Sequence, residues 1–220
     1  MKLVIFDIDG TLVDSQLEIT QAMNRAMQGA GLPEMEPARI LSIVGLSLPV
    51  AVARLLPGAG PDLHERVVAG YRESFIASRA AGALPPLYPG ALDCLDALAA
   101  RDEMLLGIAT GKPARGLAAI LDAHGLTRRF ITRQSADGHP SKPHPAMLES
   151  ALSETGVAAG RAVMVGDSTF DMEMARAAGV AGYGVGWGFC PAEELDAAGA
   201  HLVAPDYPAL TRALLEWADE

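Results

Sequence analysis

Residues 2–15 read KLVIFDIDGTLVDS, and the apolar run Leu3–Phe6 passes straight into Asp7-Ile8-Asp9-Gly10. In extended backbone, residues two apart face the same side, so the carboxylates of Asp7 and Asp9 leave the strand end together. Two neighbouring carboxylates repel, and one takes up a proton unless a cation intervenes. A hard divalent cation such as Mg²⁺ resolves the conflict, because it takes oxygen ligands and leaves room for a substrate phosphate. Asp9-Gly10 on its own is also an ordinary turn. A turn does not account for Asp7 at the end of an apolar run.

Three further stretches carry polar groups at strand ends. Val165-Gly166-Asp167-Ser168-Thr169-Phe170-Asp171 repeats the pattern of a buried strand running into acid, and capping of the next helix by Asp167 or Ser168 is the plainer alternative. Ile108-Ala109-Thr110-Gly111-Lys112 offers a hydroxyl and free N–H groups ahead of a helix, which makes an anion cradle or simply an N-cap with a turn glycine. Ser141-Lys142-Pro143-His144-Pro145 holds a lysine between prolines, where a phosphoryl group and a nearby aspartate need a fixed cation. Most single lysines are merely solvated.

The elements that must position these residues follow from the pattern of apolar positions. Strands are expected at Leu3–Phe6, Met104–Ala109, Phe130–Thr132, Ala162–Val165, Ala181–Val185 and His201–Val203, with helices between them. Such alternation predicts an α/β fold, a Rossmann-like parallel sheet covered on both faces. In such sheets ligands sit outside the carboxyl ends of the strands, which is where all the polar stretches fall. Ser15-Gln16-Leu17-Glu18 has the form of a capping box opening a helix. From there to about Ala81 only helical patterns occur, and three prolines between Leu84 and Gly90 read as a linker. The expected division is a core of residues 1–14 and 86–220 and an inserted α-helical cap of residues 15–85. The turn Val44–Leu48 between cap helices could approach the site.

Composition narrows the function. Lys and Arg total 17 against 27 Asp and Glu, a formal charge of −10 with no basic cluster, which argues against nucleic acid and anionic membranes as partners. It does not exclude a small anionic substrate, since a local metal or lysine overrides the global charge. The two cysteines, Cys94 and Cys190, form neither a disulfide framework nor a zinc pattern. They read as buried thiols in a reducing compartment. With no apolar run of membrane length, the expectation is a cytoplasmic protein, monomer or homodimer. The five histidines do not group at metal-ligand spacing.

Taken together the four stretches resemble the haloacid dehalogenase superfamily, on its phosphatase branch. Asp7-Ile8-Asp9-Gly10-Thr11 is similar to the family's first motif, D-x-D-G-T. Thr110, Lys142, and Gly166-Asp167 with Asp171 match the second, third and fourth, and the helical insertion matches the family's small cap. The resemblance implies Asp7 as nucleophile forming an aspartyl-phosphate and Asp9 as acid and then base. It implies Mg²⁺ held by Asp7, the Asp9 carbonyl and Asp167, with Asp171 as ligand or neighbour, and Thr110, Gly111 and Lys142 on the phosphoryl oxygens. Family dehalogenases lack the second aspartate, so Asp9 favours phosphoryl chemistry on a small phosphorylated metabolite. Phosphoglycolate is the first substrate the resemblance brings forward, ahead of pyrophosphate, a sugar phosphate or a β-phosphoglucomutase-like transfer. A receiver-type signalling domain also forms an aspartyl-phosphate, but places its acceptor on a later strand of a shorter chain.

Overall fold

The computed structural model describes all 220 residues. Six strands form one sheet: β1 (Lys2–Phe6), β2 (Met104–Ala109), β3 (Thr132–Gln134), β4 (Ala162–Gly166), β5 (Ala181–Val185) and β6 (Leu202–Ala204). Their order is β3-β2-β1-β4-β5-β6 and every pairing is parallel. The first strand therefore lies at the centre, and chain order reverses direction on either side of it. At such a switch point the loops that leave adjacent strands diverge and open a crevice. Apart from β3 the strands are largely apolar, because helices cover both faces. Val4 and Phe6 point into one layer with Leu95, Leu98, Leu117 and Leu210, and Leu3 and Ile5 into the other with Met147, Leu148 and Met174.

Between β1 and β2 the chain forms α1 (Gln16–Gly29), α2 (Pro37–Leu41), α3 (Leu48–Leu55), α4 (Pro61–Ala80) and α5 (Ala91–Ala99). The first four helices share an apolar cluster of their own, built on Ile19, Met23, Met27, Ile40, Val52 and Val67. The close approach of α1 and α4 depends on small residues: a Cβ on Gly70 would stand 3.3 Å from the Ala26 Cα. Phe170, from the sheet half of the chain, also enters this cluster. A bridge between Val13 and Leu87 ties the outgoing and returning segments together. The later helices α6 (Ala114–Ala123), α7 (Ala146–Thr155), α8 (Thr169–Ala177), α9 (Ala192–Ala197) and α10 (Tyr207–Asp219) pack on the sheet.

Three local expectations are corrected. Helix α1 does begin after Ser15, but Ser15 makes no cap hydrogen bond and no capping box with Glu18. Its hydroxyl is taken by Asp9, at 2.7 Å. The third strand lies two residues later than Phe130–Thr132, because Phe130 is buried while Ile131 is exposed and it is the polar Thr132–Gln134 that pairs with β2. Of the two thiols Cys94 is buried, whereas Cys190 is half-exposed beside Glu194.

Candidate active site

Strand β1 ends at Phe6, and the backbone N–H of Asp7 still bonds to the Val165 carbonyl of β4 (2.9 Å). The chain then folds into a tight turn in which the N–H groups of Thr11, Leu12 and Val13 all reach the Ile8 carbonyl. Gly10 makes the turn possible for two reasons: its φ is +79°, and a Cβ there would fall 2.1 Å from the Asp167 carboxylate. The turn is held from outside, since the Thr11 carbonyl accepts from Trp187 Nε1 (3.1 Å) and from the Tyr207 hydroxyl (2.8 Å). Trp187 and Tyr207 stack at 4.5 Å and pack against the core, so they support the turn and do not line the cavity.

Four buried side chains meet at this edge. Lys142 Nζ lies 2.6 Å from Asp171 Oδ1 and 3.1 Å from Asp7 Oδ2. Asp171 is further fixed by a reciprocal capping box at the start of α8, in which its carboxylate accepts from the Ser168 N–H and hydroxyl and its own N–H reaches Ser168 Oγ. Asp167 accepts from Thr11 Oγ1 (3.1 Å) and from the Phe189 N–H (2.9 Å). Ser168 thus caps the helix, as the plainer reading of this stretch has it, and Asp171 both caps it and joins the acidic group.

Burial dominates the electrostatics. It raises the Asp7 carboxyl to about 6: Lys142 opposes the rise, and Asp171 and Asp9 add to it. Asp167 is pushed well above the usual carboxylate range, by burial first and then by the charges of Asp171 and Asp7. Burial alone would discharge Lys142, but Asp171 and Asp7 outweigh it and hold the ammonium charged.

Oxygens of Asp7, Asp167 and Asp171 lie within 4.8 Å of one another. Asp7 Oδ1 is buried and bonded to nothing in the protein. Three hard oxygen donors against one ammonium suit a divalent cation of the Mg²⁺ type. The Asp9 carboxylate stands outside this group. Its Oδ1 takes the Ser15 hydroxyl, and its Oδ2 lies 3.0 Å from Lys112 Nζ.

Residues 4–185 match the family model for haloacid dehalogenase-like hydrolases. The chain belongs to that family. It is 36% identical over 210 residues to the probable phosphatase IndB of Dickeya dadantii, covering 93% of this chain and 90% of that one. It is 35% identical over 216 residues to a phosphoglycolate phosphatase of Rhodospirillum rubrum, covering 95% and 89%. A solved hydrolase from Pseudomonas syringae shares the fold with a TM-score of 0.86 at 26% identity, over 98% of this chain and 99% of its own. The haloacid dehalogenase-like fold of this chain, a parallel sheet with helices on both faces, is thus an enzyme fold, and this member stands on the phosphatase branch with Asp9 in place.

The hydrolase's acidic edge opens on a cavity of about 680 Å³ lined by Asp7, Asp9, Thr110, Gly111 and Lys112 on the sheet side and by α1, α4 and the turn before α3 on the other. The turn Val44–Leu48 does reach the sheet edge. A Cβ on Gly111 would lie 2.4 Å from the Gly45 carbonyl and 2.7 Å from that of Leu46. The Ser47 N–H donates to Ser141 Oγ (2.8 Å), in the loop that carries Lys142. Thr110 Oγ1 accepts from the Lys112 N–H (3.3 Å). All seven predicted site residues are therefore at one edge, with Lys142 and Asp171 beneath Asp7 and with Thr110 and Gly111 on the cavity wall.

Lys112 and Ser15 are the partners of Asp9 that sequence reasoning passed over. Lys112 is buried, and besides pairing with Asp9 its ammonium lies 5.3 Å from the Phe75 ring centroid on α4. The signal available for it was its place two residues after Thr110. For Ser15 there was none beyond a helix-cap pattern that pointed elsewhere.

Proposed function

We propose that this hydrolase is a Mg²⁺-dependent phosphatase that releases phosphate from a small monoester through an aspartyl-phosphate on Asp7. The observation that carries the reading is the unbonded Asp7 Oδ1, which belongs to a buried carboxylate whose other oxygen is anchored by Lys142 and which lines the cavity. A carboxylate so held is aimed and free to attack. Oδ1 forms the bond to phosphorus as the bond from phosphorus to the ester oxygen breaks. Asp9, placed by Ser15 and Lys112, gives its proton to that departing oxygen. It then takes a proton from the water that attacks the phosphorus of the aspartyl-phosphate, which restores Asp7. Thr110, the Gly111 backbone and Lys142 are assigned to the phosphoryl oxygens. Mg²⁺, held by Asp7 and Asp167 with the Asp9 carbonyl and with Asp171 behind, supplies charge neutralisation at the phosphoryl group.

Residues 15–85 act in this reading as a cap that covers the cavity and excludes water. The named activity of the Rhodospirillum relative makes phosphoglycolate the first substrate to test. The two free cysteines suit a cytoplasmic enzyme. The test is phosphate release from phosphoglycolate, sugar phosphates and pyrophosphate, with and without Mg²⁺, beside Asp7→Asn. Turnover is expected only with Mg²⁺, and the variant is expected to lose on the order of 10³-fold or more. Undiminished release by Asp7→Asn would sink the mechanism. Isomerised sugar phosphate without free phosphate would turn the reading to a mutase. A stable phospho-Asp7 without turnover would turn it to signalling.

A further inference from the structure

The chain carries ten more acidic than basic formal charges, yet three arginines converge on the cavity without an acidic partner. Arg72 and Arg79 come from α4 and Arg115 from α6. None of the three enters any of the protein's ion pairs. Arg72 and Arg115 are exposed, but Arg79 is half-buried and its Nη2 is shut from solvent without an acceptor. A buried donor left unmet costs roughly 1–3 kcal/mol, and more when it is charged. Glu18 is in electrostatic reach of Arg79 but does not bond to it: both its oxygens are also unpartnered. Burial raises the Glu18 carboxyl against the pull of Lys112 and Arg79, so it competes weakly as a counter-ion.

The remaining wall is apolar, with Met23, Ile43, Leu46 and Phe75 among its residues. Such a wall excludes water and strengthens any charge contact made inside it. Lys112 is engaged with Asp9, and Lys142 with Asp7 and Asp171. The transferred phosphoryl group therefore has its own cations, and Arg79 is left for a different part of the substrate.

We propose that the leaving group of the substrate carries a second anionic group, a carboxylate or a further phosphate, and that Arg79 receives it in the cavity between α4 and the sheet edge. The proposal rests on the phosphatase reading and adds a residue that sets specificity. A neutral polyol of the same size would leave the guanidinium charge unmet, and a guanidinium meets either anion with paired N–H groups.

The test compares matched esters. Phosphoglycolate is set against 2-hydroxyethyl phosphate, and a propanediol bisphosphate against its monophosphate, with wild type, Arg79→Ala and Arg79→Lys. Wild type is expected to favour the anionic member of one pair by about 10–100-fold in kcat/KM, through KM, in line with a charge-assisted contact. Which pair shows the preference tells carboxylate from phosphate. In Arg79→Ala the preference collapses towards parity, and Arg79→Lys recovers part of it. A preference that survives Arg79→Ala, or a wild type that favours the neutral esters, overturns the proposal. A second arm needs no turnover: binding of 3-phosphonopropionate and of propane-1,3-bisphosphonate against propylphosphonate in the presence of Mg²⁺, by calorimetry. If wild type releases no phosphate from any ester, the phosphatase reading fails and this arm still decides on Arg79. A preference for either doubly anionic ligand that Arg79→Ala abolishes supports it, and equal binding of all three overturns it.

Discussion

The carboxyl edge of the sheet and the helices α1–α4 face each other across one cavity, and they are built differently. At the sheet edge the buried side-chain polar atoms have partners at fixed distances, and the unbonded one is Asp7 Oδ1. Across the cavity the wall is apolar and its charged groups stand apart, with Arg79 Nη2 and both Glu18 oxygens unpartnered. The first region is rigid enough to repeat one reaction. The second offers shape and spare charge, which is what a region needs if it is to tell leaving groups apart. The contrast teaches that chemistry is held by bonds already made, and selectivity by bonds still to be made.

The contrast can be broken most forcefully at Lys142. Lys142→Ala leaves Asp7 and Asp171 buried with no counter-charge, and loss of one partner of a buried pair costs about 3–5 kcal/mol. Urea unfolding is expected to show that loss above pH 7. The loss should shrink towards pH 5, because the Asp7 carboxyl, already raised by burial, protonates and sheds the uncompensated charge. A variant as stable as wild type would mean that the edge is not organised around this lysine.

A smaller effect is expected where the two regions touch. Gly111→Ala puts a methyl group against the Gly45 and Leu46 carbonyls, which are backbone and cannot swing aside. Overpacking of this kind costs about 1–3 kcal/mol. It should also push the Val44–Leu48 turn off the sheet edge and lower kcat/KM. Gly138→Ala is the control, since nothing lies within 4 Å of its added carbon. Equal behaviour of the two variants would show that contact with the turn is dispensable.

The smallest effect concerns the sheet edge alone. In the proposed site protons and Mg²⁺ compete for the oxygens of Asp7, whose carboxyl burial pushes up to about 6. Apparent Mg²⁺ affinity should fall as pH drops through that value, and Asp167, also raised by burial, should add to the fall. Asp7→Asn should weaken this dependence, and a wild-type affinity that stays flat from pH 7 to 5 would separate Asp7 from the metal.

The two regions were also unequally legible. Asp7, Asp167 and Asp171 could be found because a buried strand that ends in acid is chemically costly and therefore conspicuous. The strands around them fall within a residue of expectation wherever the run is apolar, and the miss is β3, an edge strand of Thr132, Arg133 and Gln134 with no apolar signature. Lys112, Ser15 and Arg79 escaped for a different reason. Each sits on an ordinary helix or loop pattern, and its role depends on how α1 and α4 lie against the sheet, a distance relation that local periodicity does not carry. Ser15 shows the point most plainly: Ser-x-x-Glu is a sound cap pattern, but the turn after β1 brings Asp9 within 2.7 Å and takes the hydroxyl away.

One feature of that turn bears on how the protein is made. The turn that carries Asp7 and Asp9 follows β1, yet that strand is completed by β2 and β4, and the Thr11 carbonyl of the turn is fastened by Trp187 and Tyr207, 176 and 196 positions later in the chain. During synthesis the Asp7 carboxylate therefore leaves the ribosome well before the residues that fasten its turn. Until those residues emerge the nascent chain holds that carboxylate without the scaffold that aims it.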